Sequence, residues 1–380
     1  MYKIIWNFIL LYFTLLVTFI LSDKANEMII STSYSSYNSD YRVFLYFNGY
    51  TCTSIFGVNL SRNFTVMSNY MYPGRCSGKK QLDFIDYNNK SYNTIQCWGN
   101  PDLSKEPGEL NNLTFYVVKD NITIGARYYI GFAFRFEDEK YSIVHQMYNN
   151  GTISHKKFAF SPDRGYNYEN GTMFYGGIPD EFIKNKQKAV CSVNKKLQAW
   201  GCSLKRISFN EVIYENSYSS IFSLSDKEII VPAKLMKYIE DEILISYIKD
   251  NECIKELVGM ETEYYCKETV MTSFPELTLQ FERFKVAIPI KRMFKCDFAE
   301  NCIYRIKARE NLDDVIVIGV PFMGLFDVVF DYEDEEVVFY DYSLLKEVIS
   351  PKLKGVILSN IILLIAGIVV IGIFILINKN

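Results

Sequence analysis

Short apolar runs alternate with polar clusters along most of the chain. Runs rich in Val, Ile, Tyr and Phe lie at 41–47, Leu113–Val118, Leu277–Phe281 and Phe284–Ile288, and clusters of Asn, Gly, Asp and Ser separate them. Apolar runs of this length between turn-forming residues are typical of β-strands. The pattern predicts a mostly β protein in which most strands are antiparallel.

Helical periodicity is confined to a few places. The segments 141–148 and 233–248 show it best, and the second carries its apolar residues on roughly one face of a helix. These residues are Leu235, Met236, Ile239, Ile243, Leu244 and Tyr247. At 380 residues the chain is long enough for two ordinary domains. Two β-rich lobes with a few short helices is the simplest architecture.

Apolar segments lie at both ends of the chain. Lys3 precedes the apolar stretch 4–21, so residues 1–22 are typical of a secretory signal peptide, with an uncleaved anchor as the alternative. Residues 356–377 are nearly all apolar and are long enough to cross a hydrocarbon core of roughly 30 Å as a transmembrane helix. Residues 378–380 would form a short cytoplasmic tail. We expect a single-pass membrane protein whose bulk is luminal or extracellular, in the secretory pathway or at the cell surface.

The cysteines agree with an oxidising compartment, because all nine lie between the two apolar segments. Nine is odd, so at least one is free or bonded to another chain. There is no CxxC, and the chain has two histidines, His145 and His155. We therefore expect no metal site and no cofactor. A formal net charge of -3 gives no reason to expect a nucleic acid as partner.

The first half of the chain is rich in N-x-S/T sequons. In a secreted protein these predict N-linked glycans on the surface. They begin at Asn59, Asn63, Asn89, Asn112, Asn121, Asn150 and Asn170.

The segment 316–339 reads IVIGVPFMGLFDVVFDYEDEEVVF and closely resembles the last hairpin of pepsin-like aspartic proteases. The positions that carry the likeness are Gly319, Phe322, Met323, Phe330, Asp331, Val337 and Phe339. Further segments resemble the family in its own order. They are 129–134, 142–160 (SIVHQMYNNGTISHKKFAF), 171–179 (GTMFYGGIP) and 275–290 (PELTLQFERFKVAIPI).

The resemblance implies a bilobal pepsin-like acid protease fold, with an N-terminal lobe at 23–178 and a C-terminal lobe at 179–350. It also implies a disulfide in the second lobe between Cys266 and Cys302 or Cys296. Cys191 and Cys202 are further disulfide candidates. The flap of the family would lie at 84–88, and its tyrosine would be Tyr87.

Aspartic proteases need two carboxylates that share one proton and hold a water between them. Each carboxylate follows an apolar strand, in a D-T/S-G motif, and neither D-T-G nor D-S-G occurs in this chain. In the second lobe, VIYENSYSSI at 212–221 precedes IIVPAKL, which resembles the strand and helix after the second aspartate. This alignment places Glu215 at the second catalytic position. In the first lobe, VNLSRNFTVMS at 58–68 places Asn59 at the first.

Other catalytic classes have less support. A serine or cysteine nucleophile needs a histidine, and both histidines lie in segments that resemble a structural helix and turn, so we expect them on the surface. The chain is thus interpreted as a membrane-anchored, catalytically inactive homologue that binds a peptide or protein in the cleft between its lobes. The alternative is an active endopeptidase with atypical catalytic residues, including Glu215.

Overall fold

The computed structural model describes the chain fully at residues 142–162, 171–197, 199–224, 226–258, 262–296, 301–310 and 312–341. Elsewhere it describes backbone alone, at residues 170 and 261 and in the strands at 30–37, 40–47, 54–59, 66–68, 76–85, 91–99, 101–102, 113–118, 129–131 and 345–347. The predicted signal peptide, the transmembrane segment 356–377, the tail 378–380 and Tyr87 lie outside the described residues. Within the described part of the chain, no helix is long and apolar enough to span a bilayer.

The strands are β1 (Ile30–Tyr37), β2 (Asp40–Phe47), β3 (Ser54–Asn59), β4 (Val66–Ser68), β5 (Cys76–Ile85), β6 (Ser91–Gly99), β7 (Pro101–Asp102), β8 (Leu113–Val118), β9 (Tyr129–Gly131), β10 (Lys157–Pro162), β11 (Asn170–Tyr175), β12 (Gln187–Ser192), β13 (Ser203–Phe209), β14 (Val212–Tyr214), β15 (Tyr218–Phe222), β16 (Ile229–Pro232), β17 (Cys253–Val258), β18 (Glu261–Lys267), β19 (Leu277–Phe281), β20 (Phe284–Ile288), β21 (Phe294–Cys296), β22 (Asn301–Tyr304), β23 (Ile306–Arg309), β24 (Val315–Ile318), β25 (Asp327–Asp331), β26 (Glu336–Asp341) and β27 (Leu345–Glu347). The helices are α1 (Ile143–Asn149), α2 (Asp180–Ile183), α3 (Ala233–Ile239), α4 (Ile245–Lys249), α5 (Ile290–Met293) and α6 (Val320–Met323). A π-helical turn, Glu240–Leu244, joins α3 to α4, and 3₁₀ turns lie at Lys195–Leu197 and Glu268–Thr272.

The prediction of a mostly β chain is confirmed. Strands β19 and β20 have the predicted bounds, and they alternate buried and less buried residues as one-sided strands do. The predicted helix at 233–248 runs through α3, the π turn and α4, and its apolar face lies in the core. Helix α4 ends at Lys249, and Asn251, two residues later, has a φ of 55°, the left-handed conformation that terminates many helices.

One large sheet contains strands from both halves of the chain. Its order includes β12-β26-β25-β10-β11-β1, so that β10 and β11 of the first half lie between strands of the second half and β1. Strands β10 and β25 pair directly, and Phe158 lies opposite Phe330 with ring centroids 4.6 Å apart. Trp200 is fully buried and packs against both rings. The predicted lobe boundary at 178/179 falls between β11 and α2.

A motif of four strands, which we call the crossed-strand motif, occurs twice. In the second copy β15 is parallel to β24, β24 is antiparallel to β16, and β16 is parallel to β23. In the first copy β3, β9, β4 and β8 have the same relations in the same order. The chain therefore passes twice from one neighbour of a central strand to the other neighbour. In the second copy the connecting loop crosses the end of β24.

The disulfides correct one expectation. Among the described residues the bridges are Cys191–Cys202, Cys253–Cys266 and Cys296–Cys302. The implied bond from Cys266 to Cys302 or Cys296 is therefore wrong in this structure. Cys266 lies opposite both Cys253 and Cys302 in neighbouring strands, and its sulfur bonds to the former.

The histidines and one sequon can also be placed. His145 is buried, with 7% of its surface exposed, so the expectation that it lies on the surface is wrong. It lies in α1, and its ring packs edge-on to Tyr332 at 4.7 Å. The side chain of His155 is 40% exposed. Among the predicted glycan sites, Asn150 is exposed, while no side chain is described at the other six.

The large sheet contains a buried charged cluster. The carboxylate of Asp327, at the start of β25, accepts hydrogen bonds from Ser161 of β10 and from the ammonium of Lys186, which precedes β12. The two charged side chains are 1% and 9% exposed. Burial of a charge is costly unless an opposite charge and hydrogen bonds compensate it, so this cluster depends on both partners.

We expect Asp327→Asn to destabilise the chain by about 3–5 kcal/mol, because the ammonium of Lys186 loses its buried carboxylate. The double variant Asp327→Asn/Lys186→Met should recover most of that loss, since it removes both charges and keeps an acceptor for Ser161. Chemical denaturation of the three proteins measures the difference. A double variant no more stable than the single one would contradict the interpretation.

The crossing in the second copy of the motif depends on Gly319, which follows β24. A Cβ at this position would collide with the backbone carbonyl oxygens of Asp226 and Glu228 in the loop that crosses above it. These are backbone atoms in a hydrogen-bonded loop, because the N–H of Val320 donates to the carbonyl of Asp226 at 2.9 Å. No side-chain rotation can relieve the collision.

We expect Gly319→Ala to lower the free energy of unfolding by about 3 kcal/mol, the upper part of the usual range for overpacking. Gly151→Ala is the matched control, since its Cβ would meet no atom within 4 Å and only its φ of 71° is unfavourable. The control should cost roughly 1–2 kcal/mol. Equal midpoints of thermal unfolding for the two variants would show that the crossing tolerates a side chain.

Candidate functional site

The candidate site is the loop at residues 223–228 of the second crossed-strand motif, of which the structure describes 223, 224 and 226–228. Strand β15 ends at Phe222, and β16 begins at Ile229 and leads through Pro232 into α3. In pepsin-like proteases the catalytic aspartate directly follows an apolar strand and precedes the I-x-x-P strand and helix. Here the residue directly after that strand is Ser223.

Ser223 is held firmly at this position. Only 7% of its surface is exposed, and its N–H donates to the carbonyl of Ile318 at 3.0 Å. Its hydroxyl oxygen accepts a hydrogen bond from the N–H of Asp226 at 3.2 Å. The next residue, Leu224, is fully buried in the main core.

Two carboxylates follow in the same loop. The side chain of Asp226 is 29% exposed and lies 3.9 Å from the guanidinium of Arg309. That of Glu228 is 25% exposed and lies 3.7 Å from the ammonium of Lys307. Each carboxylate is thus close to a cation on β23, which lies beside β16.

Glu215 does not lie in this loop. It lies between β14 and β15, at the opposite end of β15 from Ser223, and its side chain is 67% exposed. Its carboxylate pairs with the guanidinium of Arg206. The assignment of Glu215 to the second catalytic position is therefore corrected to Ser223, because β15 and not β14 is the strand parallel to β24.

The surroundings of Glu215 form an open surface pocket of about 410 Å³, also lined by Lys205, Asn216, Ser217 and Gln280. Tyr218 lies beside it with 4% of its surface exposed. Burial raises the pKa of Tyr218, a hydrogen bond with Tyr214 adds to the effect, and one with Asn216 opposes it. The phenol is therefore a neutral group at physiological pH.

In the first lobe the backbone places Asn59 at the equivalent position. Asn59 is the last residue of β3 and lies opposite Gly131 of β9. In the second copy Phe222 lies opposite Ile318, so the next residues, Ser223 and Gly319, correspond to Asn59 and Gly131. The two copies of the motif thus assign Asn59 and Ser223 to matching positions.

Neither residue can perform the acid–base chemistry of an aspartate. An amide has no proton to give or take in the ordinary pH range, and a serine hydroxyl is neutral there as well. A dyad that shares a proton needs two carboxyl groups. Within the described residues, no group of three or more His, Cys, Asp or Glu side chains could hold a metal ion instead.

Sequence reasoning missed Ser223 because the strand before it is hard to recognise. Ser219 and Ser220 interrupt the apolar pattern of β15, whereas VIY at β14 is fully apolar in sequence. The buried positions of β15 are Tyr218, Ser220 and Phe222, so a serine takes an inward position and no apolar–polar alternation marks this strand in the sequence.

Comparisons with known proteins agree with this architecture. The family model described as eukaryotic aspartyl protease matches residues 117–341, more than half of the chain. The crystal structure of an aspartic proteinase from Irpex lacteus superposes with a TM-score of 0.66 at 10% identity, covering 83% of this chain and 98% of that one. No curated protein sequence matches the chain. With the fold, the repeated motif and the family model in agreement, the chain belongs to the eukaryotic aspartyl protease family.

Proposed function

We propose that this chain is a non-catalytic member of the family that binds a peptide or protein in the cleft between its lobes. The observation that carries the proposal is the position of Ser223, directly after the strand that is parallel to β24. A serine and an asparagine at matching positions leave no pair of carboxylates to activate water. Their hydroxyl and amide groups can still donate and accept hydrogen bonds with a peptide backbone.

The alternative is an endopeptidase that uses other carboxylates. Glu215 has little support for this role, because its side chain is exposed and paired with Arg206. Asp226 is the better candidate, since it lies in the candidate site loop and its N–H bonds to Ser223. Its carboxylate lies 3.9 Å from the guanidinium of Arg309, and a working dyad would still need a second carboxyl group beside it.

The proposed setting is the luminal or extracellular face of a membrane. The apolar segments 1–22 and 356–377 support it, as do the disulfides, which persist in oxidising compartments. The exposed position of Asn150 is compatible with a glycan there.

In cells that express the full-length chain, we expect the protein to stay in the membrane pellet after alkaline carbonate extraction. Enzymatic removal of N-linked glycans should lower its apparent mass, because the sequons would have entered the lumen. Asn150→Gln should lower the apparent mass by one glycan before that treatment. Release into the supernatant, or a mass that does not change on deglycosylation, would contradict the proposed setting.

We expect the full-length chain to bind peptides from a mixed library without cleaving them, from acid to neutral pH. Library peptides with a photoreactive residue should cross-link to the loop Ser223–Glu228. Mass spectrometry of the peptides detects cleavage, and mass spectrometry of the digested protein locates the cross-links. We expect binding without cleavage because Ser223 and Asn59 can form hydrogen bonds with a peptide but cannot act as an acid–base pair.

Three variants separate the outcomes. Cleavage that is abolished by Asp226→Asn, or by Glu215→Ala, would overturn the proposal and identify a catalytic carboxylate. Cleavage that persists in both variants would point to a contaminating protease. In that case Ser223→Ala should leave the cleavage unchanged as well. Cross-links confined to the pocket beside Lys205 and Arg206 would move the binding site away from the cleft.

A further inference from the structure

The small sheet β17-β18-β22-β21 carries one cysteine on each strand, and the four lie in a single row. Cys253 lies opposite Cys266, Cys266 opposite Cys302, and Cys302 opposite Cys296. Residues directly opposite each other in antiparallel strands point to the same face of a sheet. The four sulfur atoms therefore share one face, with a bridge at each end of the row.

The central pair of the row is within reach of a bond as well. The bridged pairs have Cα separations of 4.0 Å and 3.9 Å, which are those of narrow, non-hydrogen-bonded pairs. Hydrogen bonding alternates between the two sides of a strand, so Cys266 and Cys302 form a wide pair with Cα atoms about 5.5 Å apart. That separation is close to the most common Cα spacing of disulfides, about 5.5–6 Å.

The two ends of the cysteine row differ in solvent exposure. Cys296 is exposed, whereas Cys253, Cys266 and Cys302 are at most 2% exposed. A thiol from solution can therefore reach the row at Cys296, on the edge strand β21. At the other end Cys253 begins β17, the opposite edge strand, on which Ile254 and Leu257 are 58% and 74% exposed.

We propose that the row is a disulfide relay that transmits attack by a low-molecular-weight monothiol from Cys296 to Cys253. The thiolate attacks the sulfur of Cys296, the Cys296–Cys302 bond breaks, and Cys302 leaves as a thiolate. Cys302 then attacks the sulfur of Cys266, the Cys253–Cys266 bond breaks, and Cys253 leaves as a thiolate that takes a proton from water. Two disulfides and one thiol are present before and after, so no further oxidant or reductant is needed.

The relay has a structural consequence at the far edge of the sheet. Strand β17 loses its covalent tie to β18 and is then held to it by non-covalent contacts, chiefly the backbone ladder from Cys253 to Val258. A chemical event at β21 thus loosens the strand that carries the exposed apolar side chains. This inference does not depend on whether the cleft binds or cleaves peptides.

The variant Cys296→Ser of the full-length chain tests the relay without added thiol. Cys302 loses its partner, so the relay predicts a Cys266–Cys302 bond and a free thiol at Cys253. After an acid quench, the thiols are alkylated in denaturant and the labelled peptides are mapped by mass spectrometry. Label that remains on Cys302 would overturn the proposal.

Cys191→Ser is the matched control, because it frees Cys202, which lies outside the row. The alkyl label should then be found on Cys202 itself. The wild-type chain with glutathione supplies a second test that needs no folded variant. Glutathione should be found on Cys296, alkyl label on Cys253, and a linked peptide pair from Cys266 and Cys302. Alkyl label on Cys302 with an intact Cys253–Cys266 bridge would also overturn the proposal.

Discussion

The architecture of the second lobe depends on the close approach of a loop to the end of a central strand. The loop between β15 and β16 crosses β24 where Gly319 follows it, and the carbonyl groups of the loop occupy the space of a side chain there. The crossing is fixed by backbone hydrogen bonds, such as those of Ser223 to Ile318 and of Val320 to Asp226. Both are backbone bonds, so the crossing does not depend on which side chain follows β15.

The large sheet places a second constraint on the chain, because it joins strands that are far apart in sequence. The pairing of β10 with β25 brings Phe158 and Phe330 into contact, and Trp200 covers both rings. The buried pair of Lys186 and Asp327 lies at the same junction. Such a pair contributes little net stability when intact, but loss of one partner is costly, so it favours one arrangement of the strands over others.

The sequence predicted strands and helices that depend on a local pattern of residues. It did not predict the features that depend on which strands pair in the folded chain. Short apolar runs between turn-forming residues predicted β19 and β20 with their bounds, and helical periodicity predicted the segment that ends before Asn251. The position of the candidate site depends on which strand pairs with β24. That strand is β15, and its two serines kept it from being recognised as an apolar strand in the sequence. The partner of Cys266 was equally undetermined, because two cysteines lie opposite it in neighbouring strands.

Leu224 anchors the candidate site loop in the core. In pepsin-like proteases the residue after the aspartate is a threonine or serine, and the threonine hydroxyl bridges the two catalytic loops. Here that position is a leucine that is fully buried in the main core. An aliphatic side chain cannot form the bridging hydrogen bond, but its burial stabilises the loop by about 1.5–3 kcal/mol. The side chain at this position therefore holds the loop to its own lobe by packing.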